Sequence, residues 1–212
     1  MKKLVFQYYF KEKLFLDERD DIGKDILPYS IKSVMAYAQK IGADYKLCTN
    51  RNFPHLSIQC EKLRVLEEKD YDKILVVDTD VIIPQSITIN IFNEYRDAKL
   101  ALRGSPPPLR FMSSINSGVV IWDKEIINLL QEDYKELFDK KFHRKGFKVW
   151  HDENFIQECW VKHDFEITPL DKKWNCNGEE FHDWNHKANF IHYGADERAR
   201  LVFKEEYWKD KL

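Results

Sequence analysis

The strongest chemical signal in the sequence is a pair of aspartates separated by one residue, Asp78 and Asp80. They follow a short, nearly all-apolar run at 73–77, which is typical of a strand buried on both faces of a mostly parallel sheet. Ligands of such sheets bind at the carboxyl ends of the strands. If the segment stays extended, both carboxylates point to one side and need a cation or a shared proton. Oxygen ligands favour magnesium, manganese or calcium, and an ion of the magnesium or manganese type commonly also binds substrate phosphates.

A second segment, Asn116-Ser117-Gly118, leads into another apolar run. Asn116 offers both a donor and an acceptor to hydroxyl groups, and Gly118 lets the backbone approach a ligand closely. Each segment has a simpler interpretation when taken alone. The aspartates then only end a strand and begin a turn, and residues 116–118 are only the turn before a strand.

Two further polar segments follow in the second half of the chain. His151-Asp152-Glu153 opens a predicted helix that runs to about His163, and the simple interpretation of Asp152 is that it caps this helix. The last predicted strand, 188–194, ends in His192 and Gly194.

The elements around these segments alternate between strands and helices. Apolar spacing predicts strands at 4–10 and 44–49, and helices at 29–41 and 57–69, the latter capped by Ser57. With the aspartate-bearing strand, this order predicts a doubly wound α/β layer. Beyond it, residues 124–142 have the spacing of one long amphipathic helix.

Composition excludes several classes of protein. The chain has 212 residues, enough for one domain, and a formal net charge of −2, which argues against nucleic-acid binding through a basic surface. No apolar run approaches the roughly 20 residues that cross a membrane. The N-terminus lacks the pattern of a signal peptide, and the four cysteines show no C-x-x-C spacing. We therefore expect a cytoplasmic protein with reduced thiols.

The four polar segments, in this order, resemble those of GT-A glycosyltransferases. The likeness is to glycosyltransferase families 34 and 8 and to the small glycosyltransferase domains encoded by large algal viruses. It implies an α/β GT-A fold, Rossmann-like, with a mixed, mostly parallel central sheet flanked by helices. It also implies a single domain over 1–212, with a nucleotide-binding half at 1–110 and an acceptor- and sugar-binding half at 111–212.

The resemblance also implies roles for particular residues. Asp78, Asp80 and His192 would hold Mn²⁺ or Mg²⁺ on the diphosphate of a nucleotide sugar, and Asn116, Asp152 and Glu153 would be catalytic. The residues that the resemblance implies bind the nucleotide sugar, besides the two aspartates, are Gln7, Tyr8, Tyr9, Lys62, Thr79, Arg103, Gly194 and Arg198. The spacing after His192 departs from the family pattern. This chain has H-x-G followed by Arg198 and Arg200, where the family has H-x-x-G-x-x-K.

The implied activity is metal-dependent transfer of a sugar from a nucleotide sugar, a UDP-sugar being favoured, to a glycan or protein-linked glycan. The resemblance favours retention of configuration, and a viral origin would make the location the host cytoplasm. It allows further domains in the native polypeptide. The alternatives are a nucleotidyltransferase of similar fold and a non-catalytic module that binds nucleotide sugars. A zinc site at Cys176, His182 and His186 is an alternative reading of one loop.

Overall fold

The computed structural model describes residues 1–10, 26–54, 56–104, 115–137, 151–177, 188–193, 208–209 and 211–212. No helix within these ranges is long and apolar enough to span a membrane. All four cysteines fall inside them, and each is buried without forming a disulfide.

The first half of the chain alternates as the apolar pattern predicts. Its elements are β1 (Lys3–Tyr8), α1 (Leu27–Lys40), β2 (Asp44–Cys48), a first 3₁₀ helix (Ile58–Glu67) and β3 (Lys73–Val77). α1 ends before Gly42, whose φ of 66° suits a glycine after a helix. Ser57 caps the 3₁₀ helix by accepting a hydrogen bond from the backbone of Gln59 at 3.3 Å. All five residues of β3 are buried, which confirms the strand inferred from its composition.

Eleven further elements follow from Val81 onwards in the described residues. They are β4 (Val81–Ile82), α2 (Ile91–Glu94), β5 (Leu100–Gly104), β6 (Ile115–Asp123), α3 (Lys124–Leu129), α4 (Gln131–Glu136), α5 (Asp152–His163), β7 (Ile167–Pro169), a second 3₁₀ helix (Lys172–Trp174), β8 (Cys176–Asn177) and β9 (Ile191–His192). The prediction of one long helix from residue 124 was wrong in the described part, because the chain breaks at Leu130 into α3 and α4.

The main sheet has six strands in the order β2-β1-β3-β6-β5-β7. β1 pairs in parallel with β2 and β3, β5 pairs in parallel with β7, and β6 runs antiparallel to β3 and β5. This is the mixed, mostly parallel sheet that was expected. A second sheet of three short strands has the order β4-β9-β8.

Apolar side chains cover both faces of the main sheet, because neighbouring residues of a strand point to opposite faces. One face packs on the first 3₁₀ helix and on α3, α4 and α5, and includes Ile74, Val76 and Trp122. The other packs on α1 and includes Leu75, Val77 and Ile121. Burial on both sides fixes the ends of β3 and β6, and the polar segments lie at those ends.

Candidate metal and sugar-nucleotide site

Asp78 and Asp80 lie in a tight turn between the two sheets. β3 ends at Val77, and the backbone N–H of Val81 donates to the carbonyl of Asp78 at 3.2 Å, which closes the turn and starts β4. Residues 78–80 are therefore not extended, and strand alternation is not what brings the two carboxyl groups together. Their carboxyl groups converge because the turn folds them towards the second sheet.

His192 reaches the aspartates through strand pairing. β9 runs antiparallel to β4 with His192 opposite Val81, and the N–H of Tyr193 donates to the carbonyl of Asp80 at 3.0 Å. As a result His192 Nε2 lies 3.1 Å from Asp80 Oδ1 and 4.0 Å from Asp78 Oδ2. One ligand atom from each of the three residues lies within 4.8 Å of the others. The aspartate turn and a residue more than a hundred positions further along the chain therefore share one potential ion site.

The donor atoms of this cluster fit a divalent cation. Oδ1 of Asp78 and Oδ1 of Asp80 are buried and accept no well-oriented hydrogen bond from the described residues. Asp78 Oδ1 lies 3.0 Å from Lys62 Nζ, and Asp80 Oδ1 lies 3.1 Å from His192 Nε2. An ion would add a direct bond to each of these buried oxygens, which are costly to leave without well-oriented partners. Two carboxylates favour magnesium or manganese, and the imidazole moves the preference towards a transition ion such as manganese.

The electrostatics of the cluster show the cost of holding these charges together. Burial raises the pKa of Asp78 to about 6, although the charge of Lys62 acts to lower it. The Asp80 carboxylate adds to the rise. Burial acts on Asp80 as well, but the charge of His192, 3.1 Å away, outweighs it and lowers the pKa of this carboxyl. Burial likewise opposes the charged form of His192, yet Asp80 raises its pKa.

Lys62 lies inside the site rather than at its surface. Its side chain is 6% exposed, and its Nζ lies 3.0 Å from Asp78 Oδ1 and 3.0 Å from Asp152 Oδ2. It also donates to Ser117 Oγ at 2.9 Å. The ammonium therefore joins the metal cluster to the first turn of α5, where Asp152 is the first residue. His151, not Asp152, occupies the N-cap position.

The segment 116–118 faces the same site from the start of β6. Gly118 O accepts a hydrogen bond from Asp78 N at 2.8 Å, so the segment runs beside the aspartate turn. Glu153 Oε1 accepts from Ser117 N at 3.1 Å, and burial raises the pKa of Glu153. Asn116 Oδ1 accepts from the backbone of Gly118 at 3.0 Å, which leaves the Nδ2 end as the part of Asn116 that is suited to a ligand hydroxyl.

Asn175 joins this network, although it was not among the predicted site residues. It follows the second 3₁₀ helix and is fully buried. Its Nδ2 donates to Asn116 Oδ1 at 2.7 Å, and its Oδ1 lies 3.0 Å from His192 Nδ1. The preceding Trp174 marked this loop as buried, but the pairing of β8 with β9 was needed to locate Asn175.

The residues predicted on the nucleotide side lie in several different surroundings. Gln7 is fully buried behind the aspartate turn, where its amide donates to the carbonyl of Asp78 at 3.2 Å. Burial raises the pKa of Tyr8 well above its ordinary value, and Asp78 adds to the rise. Tyr9 and Thr79 are half-buried, and Arg103 donates to the carbonyl of Asn175 at 2.8 Å.

Gly194 and Arg198 lie outside the described residues. So do His182 and His186, on which the zinc alternative depends. Their roles stay predictions from the sequence.

Similarity to known proteins was found at the level of structure. No family model matches the sequence, and no curated protein does. A glycosyltransferase involved in glycosylation of the major capsid of PBCV-1 is similar over 95% of this chain and 98% of its own, with a TM-score of 0.62 and 12% identity.

Two other solved structures are more distant. Mouse xyloside xylosyltransferase 1 matches 91% of this chain and 97% of its own, with a TM-score of 0.49 and 12% identity. The galactosyltransferase LgtC, solved with donor and acceptor sugar analogues, matches 99% of this chain and 100% of its own, with a TM-score of 0.45 and 14% identity. The structural neighbours are GT-A glycosyltransferases, and the likeness to the PBCV-1 protein shows that this chain has the GT-A fold.

Proposed function

We propose that this chain is a metal-dependent glycosyltransferase that moves a sugar from a nucleotide sugar to a glycan or protein-linked glycan. The observation that carries the proposal is the Asp78, Asp80 and His192 cluster at the strand ends of a GT-A sheet. The finer prediction is a UDP-sugar donor, Mn²⁺ or Mg²⁺ as the ion, and transfer with retention.

The proposed chemistry begins with departure of a nucleoside diphosphate. A bound divalent ion supplies Lewis-acid stabilisation of the charge that develops on the diphosphate. Asp78, Asp80 and His192 would hold that ion at the end of β3. Lys62 keeps a positive charge 3.0 Å from Asp78, which limits the repulsion among the surrounding carboxylates.

The sugar would lie against the start of β6 and the first turn of α5. Asn116 presents an amide donor there, and Asp152 and Glu153 present carboxyl groups held by Lys62 and Ser117 respectively. Groups fixed in this way can orient hydroxyls without reorganising during the reaction. Gln7 has no exposed surface and would support the turn that contains the two aspartates. The residues proposed to contact the nucleotide are Tyr8, Tyr9, Thr79 and Arg103.

The test is release of nucleoside diphosphate across a panel of UDP- and GDP-sugars, with and without manganese. We expect slow, manganese-dependent hydrolysis of one donor by the wild type and its loss in Asp80→Asn. The matched control is Asp97→Asn, because Asp97 is an exposed aspartate away from the cluster.

Other outcomes of the same experiment would contradict the proposal. Transfer of a nucleotide onto a sugar phosphate would identify a nucleotidyltransferase. Donor binding by calorimetry, with no turnover when acceptor glycans are added, would identify a binding module. The structural comparisons favour neither alternative.

A further inference from the structure

The carboxamide of Asn175 lies between the residue proposed to orient the sugar and one proposed to bind the metal. On one side it meets Asn116, and on the other it meets the ring of His192. Asn175 has no exposed surface. Its backbone is held as well, because Arg103 donates to its carbonyl at 2.8 Å and its own N–H donates to Lys172 O at 3.2 Å. The side chain therefore has a fixed position.

One backbone N–H determines which atoms donate and which accept in the hydrogen bonds that link Asn116, Asn175 and His192. Gly118 N can only donate, so the Asn116 atom 3.0 Å from it must be the oxygen. The Asn175 atom that faces this oxygen at 2.7 Å must then be the amide nitrogen. Asn175 consequently turns its oxygen towards His192 Nδ1, and an oxygen of this kind can only accept.

This polarity determines which ring nitrogen of His192 has a hydrogen. Nδ1 must be the donor, in the neutral ring and in the charged ring alike. In the neutral ring the lone pair is then on Nε2, which faces Asp80 at 3.1 Å and Asp78 at 4.0 Å. A metal-binding histidine commonly has its tautomer and orientation set in this way, by a hydrogen bond from its other nitrogen.

We infer that Asn175 is a positioning residue that fixes His192 in the Nδ1–H tautomer and so turns the Nε2 lone pair to a divalent cation between Asp78 and Asp80. The inference rests on the proposed function for the presence of the cation. The same carboxamide links Asn116 to His192, so one side chain aligns the proposed sugar contact with the proposed metal ligand.

The first test is the tautomer of His192 in the metal-free protein, read from ¹⁵N chemical shifts at a pH where the ring is neutral. We expect the wild type to have its hydrogen on Nδ1, and Asn175→Leu to move it to Nε2, where Asp80 lies 3.1 Å away and can accept it. Asn175→Asp keeps an acceptor for Nδ1–H, so we expect it to keep the wild-type tautomer. A hydrogen on Nε2 in the wild type, or an unchanged tautomer in Asn175→Leu, would overturn the inference.

The second test is manganese affinity by calorimetry without donor. Loss of a partner of a metal-binding histidine typically weakens affinity about 10–100-fold, and we expect this for Asn175→Leu but not for Asn175→Asp. The control is Asn189→Ala, because Asn189 is also buried near β9 but its Nδ2 makes no hydrogen bond within the described residues. We expect wild-type affinity for this control. Equal weakening in both Asn175 variants would indicate a merely structural role and overturn the inference.

These two readouts separate the inference from the proposed function. If the wild type has the predicted tautomer but binds no manganese, the proposed metal site fails while the role of Asn175 in orienting His192 stands. If Asn175→Leu does not fold, as judged by circular dichroism, the wild-type and Asn175→Asp spectra still decide the outcome.

Discussion

At the scale of single residues, Gly118 is required by the ring of His192. A Cβ built on Gly118 would lie 2.5 Å from His192 Nδ1, closer than real Cβ atoms approach a neighbour. The sequence predicted that Gly118 permits a close approach of a ligand. The group that approaches is instead the imidazole proposed to bind the metal.

We therefore expect Gly118→Ala to displace the His192 ring and weaken manganese binding about 10–100-fold, as for loss of a group that orients a ligand. The control is Gly42→Ala, whose added Cβ meets no atom within 4 Å but whose φ of 66° is strained. That control should lose about 1–2 kcal/mol of stability and keep its manganese affinity. Calorimetry and urea unfolding on both variants check this, and unchanged affinity in Gly118→Ala would contradict it.

Lys62 is the cation that compensates the buried carboxyl groups of Asp78 and Asp152. Removing one member of a buried ion pair leaves an uncompensated charge. We expect Lys62→Met to lose about 3–5 kcal/mol of folding free energy without metal. Manganese should stabilise this variant more than the wild type, because the ion offsets the charge of Asp78.

The control is Lys73→Met, which removes a second buried lysine, one that contacts Ala98 and Asp123 outside the site. It should also be destabilised, but manganese should raise its stability only as much as that of the wild type. Thermal unfolding with and without manganese measures both increments. Equal increments in Lys62→Met and Lys73→Met would show that Lys62 does not compensate the metal cluster.

At the scale of elements, the sequence predicted those whose burial pattern is strong and local. β3 and α5 were found because an all-apolar run and a helical spacing are visible within a few residues. The break at Leu130 was missed because the apolar spacing continues across it. Of the small sheet, only β9 lies in a predicted strand, the one at 188–194. The sheet itself was missed because its strands have only two residues each and depend on pairing between distant segments.

α5 is tied to α4 by a charged cluster at Asp133. Lys162 and His163 donate to Asp133 at 2.6 and 2.8 Å, and Asp133 is 7% exposed. Burial alone would raise the pKa of Asp133, but these hydrogen bonds outweigh it and lower the pKa. The resulting stabilisation is fully present above the ordinary aspartate pKa of about 3.9 and is lost as pH falls through the lower folded-state pKa.

We accordingly expect Asp133→Asn to be less stable than the wild type at neutral pH, with the difference shrinking as pH falls through the folded-state pKa of Asp133. The control is Glu132→Gln on the same helix, because among the described residues Glu132 pairs only with Lys135, and both side chains are exposed. Such pairs contribute little, so its curve should follow the wild type. Urea unfolding at several pH values checks this, and a constant difference for Asp133→Asn would contradict it.

At the scale of the whole molecule, the site lies where the two sheets meet. The ends of β3 and β6 supply Asp78 and Asn116 from the large sheet, and β9 supplies His192 from the small one. The convergence of Asp78, Asp80 and His192 could be predicted from the resemblance and the strand order. The burial of Gln7 and Lys62 and the position of Asn175 could not, because they depend on side-chain contacts between distant segments.

The central claim is that one divalent ion joins Asp78, Asp80 and His192 to the diphosphate of a sugar donor. The most direct measurement is anomalous diffraction at the manganese edge from crystals soaked with manganese and UDP. We predict a single strong peak within coordinating distance of both aspartates and of His192 Nε2, in contact with the diphosphate, and its loss in Asp80→Asn. Bound UDP with no peak at these residues, or with the ion elsewhere, would show that this cluster is not the metal site.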